Sequence, residues 1–236
     1  RLTSTGALDT TFGTNGYYTP GVNAARNMVL DTAGNIYVVG GDFSNMRLVK
    51  LLPGGAGDNS FGTSGVVNYT GATISYGNDL KLDAQGRIVV AGQTNNGNYD
   101  FAVWRYNTNG TPDTTFGTGG VVILDFLGTS KADSAWELEI DSTGRIIVAG
   151  EAGKPDLAGT GTQQDAVIVR LNTDGTLDTT LNGTGIIWVD STPAGGPDVH
   201  ENGLCLEIDS NGNYVMGGYR QPVGSPSVFA MWRYLP

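Results

Sequence analysis

Asn107–Val122 reads NTNGTPDTTFGTGGVV, and this stretch decides the fold because the chain repeats it. It recurs as Leu2–Tyr17 (LTSTGALDTTFGTNGY), Leu52–Val66 (LPGGAGDNSFGTSGV) and Asn172–Ile187 (NTDGTLDTTLNGTGII). A second phrase follows each copy: DTAGNIYVVG from Asp31, DAQGRIVVAG from Asp83, DSTGRIIVAG from Asp141 and DSNGNYVMGG from Asp209. A third phrase closes each unit, RLVKL, AVWRY, VIVRL and AMWRY, ending at Leu51, Tyr106, Leu171 and Tyr234. The 236 residues are thus a fourfold array of one β-rich unit, roughly 3–51, 52–106, 107–171 and 172–234. Repeats of about 50 residues built from short strands and Gly-rich turns read as propeller blades. No unit carries the 3.6-residue periodicity of a helix pair.

The third unit shows the pattern most clearly. Ala135–Asp141 alternates, with Leu138 and Ile140 opposite Glu137 and Glu139, which is the strand signal. Gly144 turns the chain into Arg145–Gly150, an apolar run suited to a strand buried on both faces. Ala166–Leu171 is the third strand, and Gly185–Val189 the fourth. The expected fold is all-β: one β-propeller domain over 1–236, with four blades of four antiparallel strands. Arg1-Leu2 matches the end of a third strand, followed by a motif and an outer strand at Gly16–Thr19, while Met231–Tyr234 is a third strand with no motif after it. Residues 1–19 are therefore expected to complete the last blade and close the ring, removing two exposed edges. The rival is an arc of a larger ring, or closure through partner chains. The start at Arg1 without Met or a visible signal peptide reads as a mature form or a piece of a longer exported protein.

Composition excludes several classes. With 13 basic against 23 acidic residues the net charge is −10, which argues against nucleic acid and anionic membranes. No apolar run approaches the roughly 18 residues that span a bilayer. The one cysteine, Cys205, falls in a predicted strand and reads as a buried inert thiol.

The phrases DTTFGTNG, DAQGRIVVAG and AVWRYNTNGTPDTTFG are similar to the delta-60 repeat, a bacterial β-propeller family of undefined function, and look like a distant variant of the NHL-type blade. The resemblance spans essentially the whole chain. The first and last units depart from it at Val39-Gly40-Gly41 and Met216-Gly217-Gly218, and the fourth motif has Leu181 in place of Phe. The resemblance brings no catalytic residues. It implies an extracellular or bacterial cell-surface setting.

Chemistry is sparse. The motif aspartates Asp9, Asp58, Asp113 and Asp178 read as turn residues accepting backbone N–H bonds, with Phe or Leu181 plugging the gap between blades. A calcium loop at Asn172–Asp178 is the weaker reading, because the first unit offers one carboxylate at the matching positions. No cofactor or metal is expected. Inner-strand positions Asn27, Asp79, Glu137 and Cys205, with Val29, Lys81, Glu139 and Glu207, would line an acidic channel, where Lys81 pairing with a neighbouring Glu is the plain expectation. No nucleophile elbow, zinc pair or phosphate loop occurs, so an enzyme is not expected.

Loop lengths vary on one face only: 42–45, 93–100, 151–165 and 220–227, with 19–23, 69–76, 125–134 and 190–202. Variation confined to one face reads as a binding face on a constant scaffold. Its aromatic candidates are Tyr18, Phe43, Tyr69, Tyr76, Tyr99 and Phe126, with Trp136 at the start of an inner strand. Its polar candidates are Lys131, Lys154, His200 and Arg220. Rings beside Asn, Asp and Gln suit sugars. The expected function is recognition or adhesion to a glycan or envelope protein of another cell, at the tip of a surface fibre and in a homo-oligomeric parent protein. A structural spacer is the alternative, and a hydrolase or lyase at the channel mouth the remote one.

Overall fold

The structure is a computed structural model that describes residues 1–19, 24–41, 44–95, 97–126, 132–153, 164–189, 199–222 and 224–235. Among these there is no helix. The strands form four antiparallel sheets, each a meander in sequence order. Sheet 1 holds β1 (Ala24–Leu30), β2 (Ile36–Gly41), β3 (Met46–Leu51) and β4 (Val66–Asn68). Sheet 2 holds β5 (Ile74–Leu82), β6 (Ile88–Asn95), β7 (Tyr99–Tyr106) and β8 (Val121–Leu124). Sheet 3 holds β9 (Ser134–Ile140), β10 (Ile146–Gly153), β11 (Gln164–Leu171) and β12 (Ile186–Trp188). Sheet 4 holds only β13 (Val199–Ile208), β14 (Tyr214–Pro222) and β15 (Val228–Tyr234).

The core lies between sheets. Side chains alternate along each strand, so one row faces the preceding sheet and the other the following sheet. Leu48 and Met46 meet Leu80, Ile88 and Trp104; Val103 and Phe101 meet Leu138 and Val148; Ile168 and Ala166 meet Leu206 and Met216. Phe61, Phe116 and Leu181 of the repeated motif are buried in these three joints, as wedges between neighbouring sheets. Trp104 is fully buried at the first joint and Trp232 packs at the third, in keeping with inter-blade packing.

Every inner strand carries a bulge at the same place, which the alternation in the sequence does not disclose. The register slips between Ala25 and Asn27, Gly77 and Asp79, Ala135 and Glu137, and Gly203 and Cys205. The extra residues are Arg26, Asn78, Trp136 and Leu204. The bulge drives the inner strand's carbonyl against the second strand. A Cβ at Gly40, Gly92, Gly150 or Gly218 would lie 1.8–2.1 Å from the carbonyl oxygen of Ala24, Tyr76, Ser134 or Asn202. Glycine in the VVG, VAG and MGG phrases is therefore a requirement of close approach.

One expectation is not seen and another is corrected. Gly16–Thr19 is not seen paired with sheet 4: its only ladder contact among the described residues is a local bridge between Thr14 and Tyr17. The N-terminal motif lies instead on sheet 1, with Gly13 N–H donating to Gly54 O at 2.8 Å and Phe12 packed on Val49 and Leu51. Cys205 is exposed, because it stands opposite Gly217 on the face of sheet 4 that no later sheet covers. The ring is accordingly not seen closed.

Candidate functional site

The motif carboxylates are occupied by the fold. Asp58, Asp113 and Asp178 each accept the N–H and the hydroxyl of the residue two positions on: Ser60, Thr115 and Thr180. Their second oxygens pair with the cation of the preceding third strand: Lys50 at 2.9 Å, Arg105 at 2.7 Å and Arg170 at 2.7 Å. Asp9 repeats the arrangement with Thr11 and Arg1. The Ser60 hydroxyl and then Lys50 hold Asp58 down to about 2. Each of these carboxylates already pairs with a lysine or arginine, so these turns are structural, and the calcium reading of Asn172–Asp178 gains no support.

The inner-strand acids are clamps between sheets. An inner strand has a free edge whose alternate N–H groups need partners. Asp79 accepts Leu138 N–H of the next sheet at 2.9 Å and its own Leu80 N–H at 2.8 Å, and Asn27 donates to it. Glu137 accepts Leu206 N–H at 2.8 Å. Lys81 pairs with Glu139 at 2.5 Å, as the sequence suggested. Burial pushes both Asp79 and Glu137 above the usual carboxylate range.

A different polar group gathers where β9, β10, β13 and β14 meet at the long-loop end. The residue after the close-approach glycine reaches across to the following inner strand: Gln93 to Ser134, and Glu151 to Asn202. His200 Nε2 lies 3.7 Å from Glu151 Oε2, beyond hydrogen-bond length, with its ring edge-on to Tyr219 at 5.7 Å. Several buried polar atoms here have no partner: Trp136 Nε1, His200 Nε2, Asn202 Oδ1 and Arg220 Nε. A native fold leaves few such atoms without a role.

The remaining candidates divide. Tyr76 and Tyr99 come together at the loop end of sheet 2, ring centroids 6.3 Å apart and both half-buried. Tyr69 stands edge-on to Trp104 at 5.3 Å, and its phenol is pushed up by burial, so it is packing. Tyr18 packs beside Phe12 against sheet 1 and joins neither group. Phe126 is a core residue between Phe101 and Trp188. Phe43, Lys131 and Lys154 lie outside the described residues. Sequence reasoning missed Glu151 and Asn202. Their only signal was a polar residue next to the glycine of the second strand, and one before the bulge of the first.

Two cavities stand elsewhere. One, of ≈ 500 Å³, lies at the short-turn end between Glu139, Asp141, Arg145, Glu207 and Asp209. The other, of ≈ 780 Å³, is an apolar groove on sheet 1 lined by Phe12, Tyr17, Met28, Leu30 and Val38.

No curated protein matches the chain. Residues 34–61, 85–116 and 142–181 match the model of a family described as a domain of unknown function (DUF5122), beta-propeller. Each matched segment runs from the turn after an inner strand, through the second and third strands, to the motif wedge. The match and the four meandering sheets support a propeller-type repeat family for this chain.

Proposed function

We propose that the chain is an extracellular recognition module that binds a glycan or a cell-envelope ligand at its long-loop end, in the manner of an adhesin at the tip of a surface fibre. The observation that carries this is the pair of unpartnered buried atoms on His200 and Asn202 beside Glu151, with the unpartnered indole N–H of Trp136 on the neighbouring inner strand β9. Together they offer an indole donor, an amide acceptor and an imidazole, which suits a ligand rich in hydroxyls or amides. Tyr76 and Tyr99 supply ring faces on the neighbouring sheet. The net charge of −10 disfavours nucleic acid as the ligand. Kinship with the delta-60 repeat and NHL-type blades, and a bacterial surface location, belong to the same proposal.

Closure of the ring belongs to it as well. Sheet 1 and sheet 4 present the two halves of the joint that the fold makes three times between its sheets. Met28 is 61% exposed where Leu80, Leu138 and Leu206 are at most 1%. Met231 is 62% exposed where Leu48, Val103 and Ile168 are 0%. In the closed ring residues 1–19 lie between these halves, and Asp9 passes from Arg1 to Arg233.

The second reading, a spacer that packs against further propeller units, rests on the same uncovered faces. The test of recognition is a glycan array probed with the purified chain and with Trp136→Ala, His200→Ala and Tyr76→Ala. Binding lost in the variants, with unchanged melting, is expected. A blank array and blank capture from bacterial envelopes would favour the spacer.

A further inference from the structure

We propose that Asp100, Asp125 and Asp133 form a calcium site at the loop end of sheet 2, where the segment entering sheet 3 meets it, with the Thr94 hydroxyl as a neutral ligand. This does not depend on the recognition reading. The three carboxylates offer oxygens that all lie within 4.8 Å of one another. A single Ca²⁺ spans that separation, with ligands at about 2.3–2.6 Å on each side. An all-oxygen donor set selects a hard cation over zinc or copper.

The site is ordered by the fold. Asp133 is fully buried; its own N–H donates to Tyr99 O at 2.7 Å, and its two oxygens accept Phe126 N–H at 3.1 Å and Gly153 N–H at 2.8 Å. Burial, and then the like charges of Asp125 and Asp100, push Asp133 up to about 6 despite those two bonds. Burial and Asp125 push Asp100 up too. Asp125 is exposed and gives an ion a way in.

A second observation comes from Thr94. It is wholly buried, and its Oγ1 has no partner. It pairs directly with Asp100 across β6 and β7, and Phe101 pairs with Leu124, which sets Asp100 opposite Asp125. Directly paired residues share a face of the sheet. Thr94, Asp100 and Asp125 therefore form one row, with the free hydroxyl next to the acids. Structure alone does not require the carboxylates. At the joint between sheets 1 and 2, Ser75 takes the place of Asp133: its N–H donates to Ser44 O at 3.0 Å, and its hydroxyl accepts Met46 N–H at 2.8 Å. A neutral hydroxyl suffices there.

The test is calcium titration of the full chain by calorimetry, with terbium luminescence as a second readout. Trp188 packs on Phe126, whose N–H donates to Asp133, so it is placed to sensitise terbium. One saturable site is expected, with a Kd of about 10⁻⁵–10⁻³ M, the range from sensors to extracellular modules. Asp125→Asn should weaken it about tenfold or more, since ligand charge sets calcium affinity. Thr94→Val should weaken it several-fold, and Asp174→Asn, an exposed motif acid, should leave it unchanged. Unchanged melting of Asp125→Asn shows that folding is intact; Asp100→Asn replaces it if not. No saturation up to about 10 mM, well beyond the usual range, would overturn the proposal. So would affinity unchanged in both Asp125→Asn and Thr94→Val.

Discussion

A Cβ on Gly150 would sit 2.1 Å from the Ser134 carbonyl oxygen, closer than any real contact. Neither strand can retreat, because Ala149 and Val148 are fully buried on opposite faces of β10. Gly150→Ala is therefore expected to destabilise the chain by about 1–3 kcal/mol, the usual cost of overpacking, on top of any loss of the bulge. Gly54→Ala is the control: its Cβ would meet nothing within 4 Å, so a change within about 0.5 kcal/mol is expected. Urea denaturation of both variants decides, and equal midpoints would refute the bulge argument. The residue scale is also where sequence reading failed most. The phrase RIIVAG announced a buried strand and its glycine. It did not announce that the glycine answers to a bulge in a different strand, because the bulge residues Arg26, Asn78, Trp136 and Leu204 share no chemistry. Glu151 and Asn202 were hidden for the same reason: what joins them is a cross-sheet contact, set by the bulge and by the packing of two blades.

The motif turn is the element that was most legible. Its aspartate, hydroxyl and wedge residue keep their spacing in all four copies, and local hydrogen bonds two residues apart need nothing from the rest of the fold. The element also fixes how stability depends on pH. Asp9 and Asp58 titrate at about 2, and Asp113 and Asp178 are lowered as well. A depressed acid stabilises the fold above its unfolded value, near 4, and that contribution is lost as the pH falls through the folded value. Asp133 acts in the opposite sense. Raised to about 6, it makes the fold less stable as pH rises from about 4 to 6. In chelator, the melting temperature is therefore expected to hold or rise slightly from pH 7 to about 4, then drop steeply towards pH 2. A melting temperature that stays level between about pH 4 and pH 2 would show that the motif ion pairs contribute nothing, as exposed pairs often do.

At the scale of the whole molecule, the repeat made blade number and order readable, while closure depends on surfaces that no local pattern encodes. The uncovered face of sheet 4 carries Phe229 at 77% exposure, and a long apolar edge strand such as β15 invites pairing with any free strand. The internal blades dictate the register. Arg47 pairs with Asn68, Leu48 with Val67 and Val49 with Val66. In the proposed closed ring, the same register would pair Ala230 with Thr19, Met231 with Tyr18 and Trp232 with Tyr17. Neighbours on paired antiparallel strands lie about 4.5–5.5 Å apart at Cα, within disulfide reach. Thr19→Cys with Ala230→Cys, in a Cys205→Ser background, should therefore oxidise to a crosslinked monomer under mild conditions. A pair shifted by one residue, Tyr18→Cys with Ala230→Cys, should crosslink far less, because a one-residue slip turns the two side chains to opposite faces. A disulfide found only in dimers or longer chains would mean that the joint forms between copies, since a head-to-tail contact that does not close on itself extends into rings or filaments. If neither pair crosslinks, these faces are covered by something other than each other, and the spacer reading takes precedence.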